Sequence, residues 1–180
     1  AGALHHPHVV SVLEVQANAG ETPFLAMELL EGEPLAALGK REAPIEPRRA
    51  VRLALQILSG LDAAHRAGLV HRDVKPGNVW VTRTLSGEMV KLLDFGLVLA
   101  EGPRMTQTGH LVGTPQFMAP EQVRGERVDA RADLHAVGLV LTMLLAGKLP
   151  WAPDASPHAE VLLTVPPSLD TVVPGLPKGL

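Results

Sequence analysis

Four side chains in two loops hold the reactive potential of this chain. Asp73, Lys75 and Asn78 fall within the stretch from His71 to Asn78, and Asp94 follows the apolar pair Leu92-Leu93. A carboxylate, a nearby carboxamide and a second carboxylate supply oxygen ligands of the kind Mg²⁺ takes, because that small hard ion keeps oxygen partners and substrate phosphates in its shell. Lys75 adds a positive point charge. Oxygen ligands for a metal, an Asp to accept a hydroxyl proton and an ammonium aimed at phosphate suit phosphoryl transfer, where positioning and charge neutralisation supply most of the catalysis. Taken singly these signals are bland, since Asp-Phe-Gly is a common turn and a loop Asp is commonly a cap or a solvated group. The ordered combination is far more specific.

The elements that position these groups are legible as patterns. A helix is predicted from Pro47, a favoured first-turn residue, to about Ala67, with Val51, Leu55, Leu58, Leu61 and His65 near one face and Gly68 stopping it. It delivers the chain through Leu69-Val70 to the loop. Val79 to Thr82 and Met89 to Leu93 read as a β-hairpin with Ser86-Gly87 at its turn, which brackets the site and holds Asn78 near Asp94. Upstream, Val9 to Val15 and Phe24 to Leu30 read as strands around a turn marked by Asn18, Gly20 and Pro23, and Pro34 to Leu38 as a short helix. Downstream, Asp129 to Gly147 is apolar nearly all round and reads as a central buried helix, whereas Pro166 to Leu180 reads as loop.

The 180 residues allow one domain with a real core, and 46% hydrophobic with 19% charged residues places them among globular chains. The absence of cysteine excludes disulfides and thiolate zinc sites. A net charge of -3 argues against a nucleic-acid or anionic-membrane surface. No repeat or leader pattern appears, and the longest apolar run, Ala136 to Ala146, is too short to span a bilayer. His5, His6 and His8 lack helical spacing and a joining carboxylate, so they read as a turn around Pro7 rather than a metal site.

His71-Arg72-Asp73 with Lys75 and Asn78, Asp94-Phe95-Gly96, and Ala119-Pro120-Glu121 resemble the catalytic loop, metal loop and activation-segment end of a protein kinase. Thr114 within Gly113 to Glu121, and Asp133 with Gly138, extend the likeness, and Lys75 two past the Asp makes it a resemblance to serine/threonine kinases, most similar to the bacterial eukaryotic-type branch. The resemblance implies an α+β, protein-kinase-like fold. It would consist mostly of the helical C-lobe with strands 4 and 5 of the N-lobe: residues 1–30 as N-lobe remnant and hinge, 31–165 as C-lobe, 166–180 as loop. It further implies ATP and Mg²⁺ as cofactors, Asp73, Lys75 and Asn78 as catalytic residues, and Asn78 and Asp94 as metal ligands. Met27, as gatekeeper, with Glu28, Leu30, Lys75, Asn78, Trp80 and Asp94 would meet the nucleotide. Trp80 stands where an aliphatic residue is usual beneath the adenine, so its indole either stacks on the base, crowds it out or fills the core.

By the same resemblance, Arg72 would pair with a phosphate on Thr106 or Thr108 to order the activation segment, although the same threonines also fit an unmodified exposed loop. Thr114 would position a serine or threonine substrate, His71 would pack under the metal loop, and Asp133 would accept backbone N–H bonds from the catalytic loop. Phe117 replaces the usual Tyr, and His135 stands where an aromatic is common. Expected partners are a protein substrate and ATP, with self-association for autophosphorylation, no nucleic acid, and a cytoplasmic kinase domain whose parent can be membrane-anchored elsewhere. The Gly-rich phosphate loop, strand-3 Lys and helix-C Glu of the family do not occur here, so the chain is expected to be a fragment, incomplete at both ends, with little activity by itself. A non-catalytic binding or scaffold module is the alternative reading. A small-molecule phosphotransferase fits less well, because Gly113 to Glu121 resembles a peptide-positioning segment.

Overall fold

The computed structural model describes residues 4–16, 22–85, 87–94, 115–151, 161–162 and 166–176. Two helices form the centre, and both are capped by side chains the sequence places at their ends. In α2 (Pro47–Arg66) the Glu46 carboxylate accepts the Arg48 and Arg49 N–H groups, each at 2.9 Å, and Gly68, with φ 77°, turns the chain away after the last turn. In α4 (Ala130–Ala146) Asp129 accepts the Arg131 N–H, and Gly147, at φ 72°, returns its N–H to the Met143 carbonyl at 2.9 Å. Leu53, Ile57 and Leu61 of the first helix and Val140 and Leu144 of the second belong to one buried cluster.

The face of α2 differs from the expected one. Its buried stripe is Ala50, Leu53, Ala54, Ile57, Gly60, Leu61 and Ala64, while Leu55 lies 58% exposed. Small residues do much of the packing here, so a face chosen by its large aliphatic side chains is rotated from the true one. At Gly60 the reason is direct: a Cβ would lie 2.8 Å from the His8 carbonyl oxygen and 2.9 Å from a Leu92 methyl.

Above the helices lies a three-stranded antiparallel sheet in the order β3 (Glu33–Pro34), β4 (Val79–Thr84), β5 (Gly87–Leu92). Val79 pairs with Leu92, Trp80 with Lys91 and Val81 with Val90. Directly opposed residues share a face. Val79, Val81, Val90 and Leu92 therefore fill the core beneath the sheet, whereas Trp80 and Lys91 project from the other side. A second antiparallel pair, β1 (Val12–Gln16) with β2 (Phe24–Met27), joins this body through a parallel bridge. There Val10 N–H donates to the Leu92 carbonyl and Leu92 N–H to the His8 carbonyl, both at 2.9 Å.

Three other boundaries shift. β2 stops at Met27 rather than reaching Leu30, because Glu28 turns its carboxylate back onto Ser11 and Lys91. Glu33 and Pro34 form a strand, and the helix after them, α1 (Leu35–Glu42), is longer than expected. The segment expected as loop contains one helical turn, α5 (Leu169–Val172), because Leu169, Val173 and Leu176 pack on the core. A further turn, α3 (Pro120–Val123), follows the Ala119-Pro120 step. Among the described residues no helix is long and apolar enough to cross a membrane.

Candidate active site

The loop after α2 is shaped by a carboxylate that lies far away in sequence. Asp133, on the first turn of α4 and 1% exposed, accepts the His71 N–H at 2.9 Å, the Arg72 N–H at 2.8 Å and the His65 Nε2–H at 2.7 Å. Arg72 sits in the left-handed region at φ 66°, a conformation that costs a non-glycine residue about 1 to 2 kcal/mol. The two N–H bonds to one buried anion offset that cost and fix the direction in which the loop leaves the helix.

His71 ties this loop to the end of β5. Its Nδ1 accepts the Asp73 N–H at 3.3 Å, so Nε2 carries the proton and donates to the Leu93 carbonyl at 2.9 Å. The ring is buried; the loop under which the sequence reading placed it lies, beyond Asp94, outside the described residues.

Asp73, Lys75 and Asn78 meet directly. Lys75 Nζ donates to both Asp73 carboxylate oxygens, at 3.0 and 2.7 Å, and Asn78 Nδ2 donates to the Asp73 carbonyl and carboxylate, both at 2.9 Å. A 3₁₀ turn, Pro76–Asn78, closed by the Asn78 N–H on the Lys75 carbonyl, folds the amide back toward Asp73. Asp94 is brought alongside through the chain: the Leu93 N–H donates to the Asn78 carbonyl at 2.9 Å, and Asp94 itself turns at φ 59°. Among the described residues no side chain pairs with its carboxylate.

The linker side is built differently. Met27, 39% exposed, ends β2, and Glu28 and the part-buried Leu30 follow it. Glu28 Oε1 accepts the Ser11 N–H at 2.7 Å and the Lys91 ammonium at 2.6 Å. Burial pushes the Glu28 carboxyl up, but the Lys91 and Ser11 bonds outweigh it and hold the group below its ordinary value. Trp80 lies on the same side of the sheet as Lys91, with its indole Nε1 buried and without a hydrogen-bond partner among the described residues.

Arg72 exposes its side chain, and its carbonyl accepts the Gln122 Nε2–H at 2.7 Å. Thr106, Thr108, Thr114, Phe95 and Gly96 lie outside the described residues. Three participants escaped the sequence reading. His65 was assigned only to a helix face, Gln122 was overlooked beside Ala119-Pro120-Glu121, and Lys91 was absorbed into an apolar strand. Lys91 left a trace, being a charge inside the run Met89 to Leu93, and Gln122 left almost none.

Known proteins with this pattern are numerous. The family model "Protein kinase domain" matches residues 1–165. The serine/threonine-protein kinase pkn3 of Myxococcus xanthus is 41% identical over 162 residues, 87% of this chain and 30% of that protein. The serine/threonine-protein kinase PknB of Mycobacterium tuberculosis is 38% identical over 161 residues, 86% of this chain and 25% of that protein. The chain thus spans less than a third of the length of these relatives. The crystal structure of a mutant Mycobacterium tuberculosis PknI kinase domain matches with a TM-score of 0.69 and 27% identity, covering 94% of this chain and 58% of that one.

Proposed function

This chain belongs to the protein kinase domain family, and from that premise we propose that the protein carrying it transfers the γ-phosphoryl group of ATP to serine and threonine hydroxyls of proteins. Asp73 orients the acceptor hydroxyl and takes its proton. Lys75 neutralises the phosphoryl group in flight, and Asn78 and Asp94 are the oxygen donors of the magnesium site. The observation that carries this reading is the meeting of Lys75 and Asn78 on the Asp73 carboxylate, with Asp94 tethered beside them through the Leu93–Asn78 bond.

The donor set suits magnesium. Asn78 commits its amide nitrogen to Asp73, which leaves its amide oxygen as the donor atom for a metal, and the Asp94 carboxylate has no side-chain partner among the described residues. When bound, the ion supplies charge neutralisation on the phosphates. Met27, the Glu28 carbonyl, the Leu30 N–H and Trp80 line the adenine side of this reading. Arg72 awaits a phosphate on Thr106 or Thr108, and Thr114 orients the acceptor. Autophosphorylation would bring two copies together.

The test is phosphopeptide mass spectrometry on matched serine, threonine and tyrosine peptides, with wild-type protein and Asp94→Asn. Magnesium-dependent labelling of the serine and threonine peptides, lost in the variant, is the expected result. Labelling that survives Asp94→Asn undiminished overturns the assignment of Asp94.

A further inference from the structure

Lys91 is a buried charge that the phosphoryl-transfer chemistry does not use. It sits between Val90 and Leu92, both fully buried, and is itself only 7% exposed. Its ammonium reaches across from β5 to Glu28 Oε1 at 2.6 Å, with the Val9 carbonyl at 3.5 Å. Burying the Lys91 ammonium gains little over apolar packing of the same volume, because its desolvation consumes much of the attraction to the part-exposed Glu28 carboxylate. A strand flanked by Val and Leu has no packing need for lysine at this point.

The geometry shows what the pair does join. Glu28 is the first residue beyond β2, where strand pairing has ended and the linker begins. Its N–H donates to the Ser11 carbonyl at 3.0 Å and its carboxylate accepts the Ser11 N–H at 2.7 Å, so both its ends are fixed to the β1 side. Among the described residues, Lys91 supplies the side-chain tie from Glu28 to the sheet of β3, β4 and β5. It lies three residues before Asp94 and directly across the ladder from Trp80. One side chain therefore connects the linker, the sheet face under the cleft and the strand that ends at the metal-site carboxylate.

We propose that Lys91 is a positioning residue for adenine: by holding the Glu28 carboxylate it fixes the linker backbone at residues 28–30 in register with Trp80 and Asp94. The assignment rests on the nucleotide-cleft reading above. It predicts an effect on recognition of the base and not on phosphoryl transfer itself, since Lys91 touches neither Asp73 nor Lys75. The adenine 6-amino group would meet the Glu28 carbonyl, so purine riboside triphosphate, which lacks that group, reports on this contact alone.

The experiment compares steady-state kinetics of the full protein and of Lys91→Met, Lys91→Arg and Glu28→Gln, with ATP and with purine riboside triphosphate, alongside thermal melts. Lys91→Met is expected to raise the KM for ATP about tenfold or more. Its kcat and peptide KM should stay within about threefold, and the preference for ATP over the analogue should collapse. Glu28→Gln, which weakens the same pair from its other end, should lower the preference as well, and Lys91→Arg should restore it. If Lys91→Met fails to fold, the other two variants decide by the same ratio. An unchanged preference in folded Lys91→Met or Glu28→Gln, or a kcat that rises at constant KM, overturns the positioning role while leaving the kinase reading intact. A wild-type protein without ATP-dependent phosphorylation overturns both.

Discussion

The catalytic loop and the β1–β2 hairpin are held in place by contrasting means. Around His71 to Asn78 the described contacts are dense and mostly polar: Asp133 takes three donors, His71 bridges to Leu93, Asn78 and Lys75 converge on Asp73, and Gln122 clasps Arg72. The hairpin keeps Leu13 and Val15 about two-thirds exposed. The hairpin and the residues just before it meet the rest of the described structure through the Val9–Leu92 parallel bridge, the His8 ring at the Val90 carbonyl, the His6–Ser59 contact, the approach of His8 to Gly60 and the Lys91–Glu28 pair. On the proposed function, the phosphoryl-transfer groups are thus set within the body built on α2, α4 and the three-stranded sheet, whereas the proposed nucleotide side depends more on the joints of the hairpin. Substitutions in the first region should cost stability and activity together, and those at the joints should separate them.

The largest effect is expected from Asp133→Ala. Removing a fully buried acceptor leaves the His71 and Arg72 N–H groups and the His65 Nε2–H without it. Urea unfolding should show a loss of about 3 to 5 kcal/mol. A loss below about 1 kcal/mol would mean that the loop is held by something other than this carboxylate.

Gly60→Ala probes the joint. Helix propensity alone favours Ala by about 1 kcal/mol, but its methyl would press on the His8 carbonyl and Leu92. A net destabilisation of about 1 to 2 kcal/mol is expected, with the KM for ATP affected more than kcat. A stabilised variant would show that the approach of α2 to the segment before β1 is looser than described.

The smallest effect sharpens the contrast, because it falls on a flaw in the well-held region. His135 Nε2 is buried without a hydrogen-bond partner among the described residues. Burial lowers the pKa of this imidazole below the ordinary 6.5, with Glu121 opposing in part. The folded state therefore prefers the neutral ring, and the unfolded chain takes up the proton first. Stability from this group is complete above about pH 6.5 and falls as the pH drops below it. Melting temperatures at pH 7.5 and 5.5 should fall further for wild type than for His135→Phe, by on the order of a degree or two. Equal slopes would remove His135 as a source of acid sensitivity.

The chemistry was easier to read in the sequence than the packing. On the proposed function Asp73, Lys75, Asn78 and Asp94 are constrained by their chemistry, and helix ends are constrained by residues such as Pro47, Gly68, Asp129 and Gly147. Residue type and spacing therefore announced the α+β elements and brought the four groups to two neighbouring loops. The face of α2 was misread because Ala50, Ala54, Gly60 and Ala64 bury it, and smallness is no visible signal of an inward position. His65 and Gln122 escaped because their partners, Asp133 and Arg72, are distant in sequence. Lys91 was hidden in a hydrophobic run, and its partner Glu28 was noticed only for its backbone. Trp80 remained open between three roles, and its placement on the Lys91 face sets it on the upper side of the sheet, away from the core residues Val79 and Val81.

The most direct measurement is single-turnover phosphoryl transfer from ATP to a serine peptide by the full protein and by Asp73→Asn, at equal folded fraction. Loss of the carboxylate base with Lys75 and Asn78 retained should slow transfer at least about a hundredfold while nucleotide affinity stays within a few fold. A variant that transfers phosphate at the wild-type rate would contradict the account at its centre.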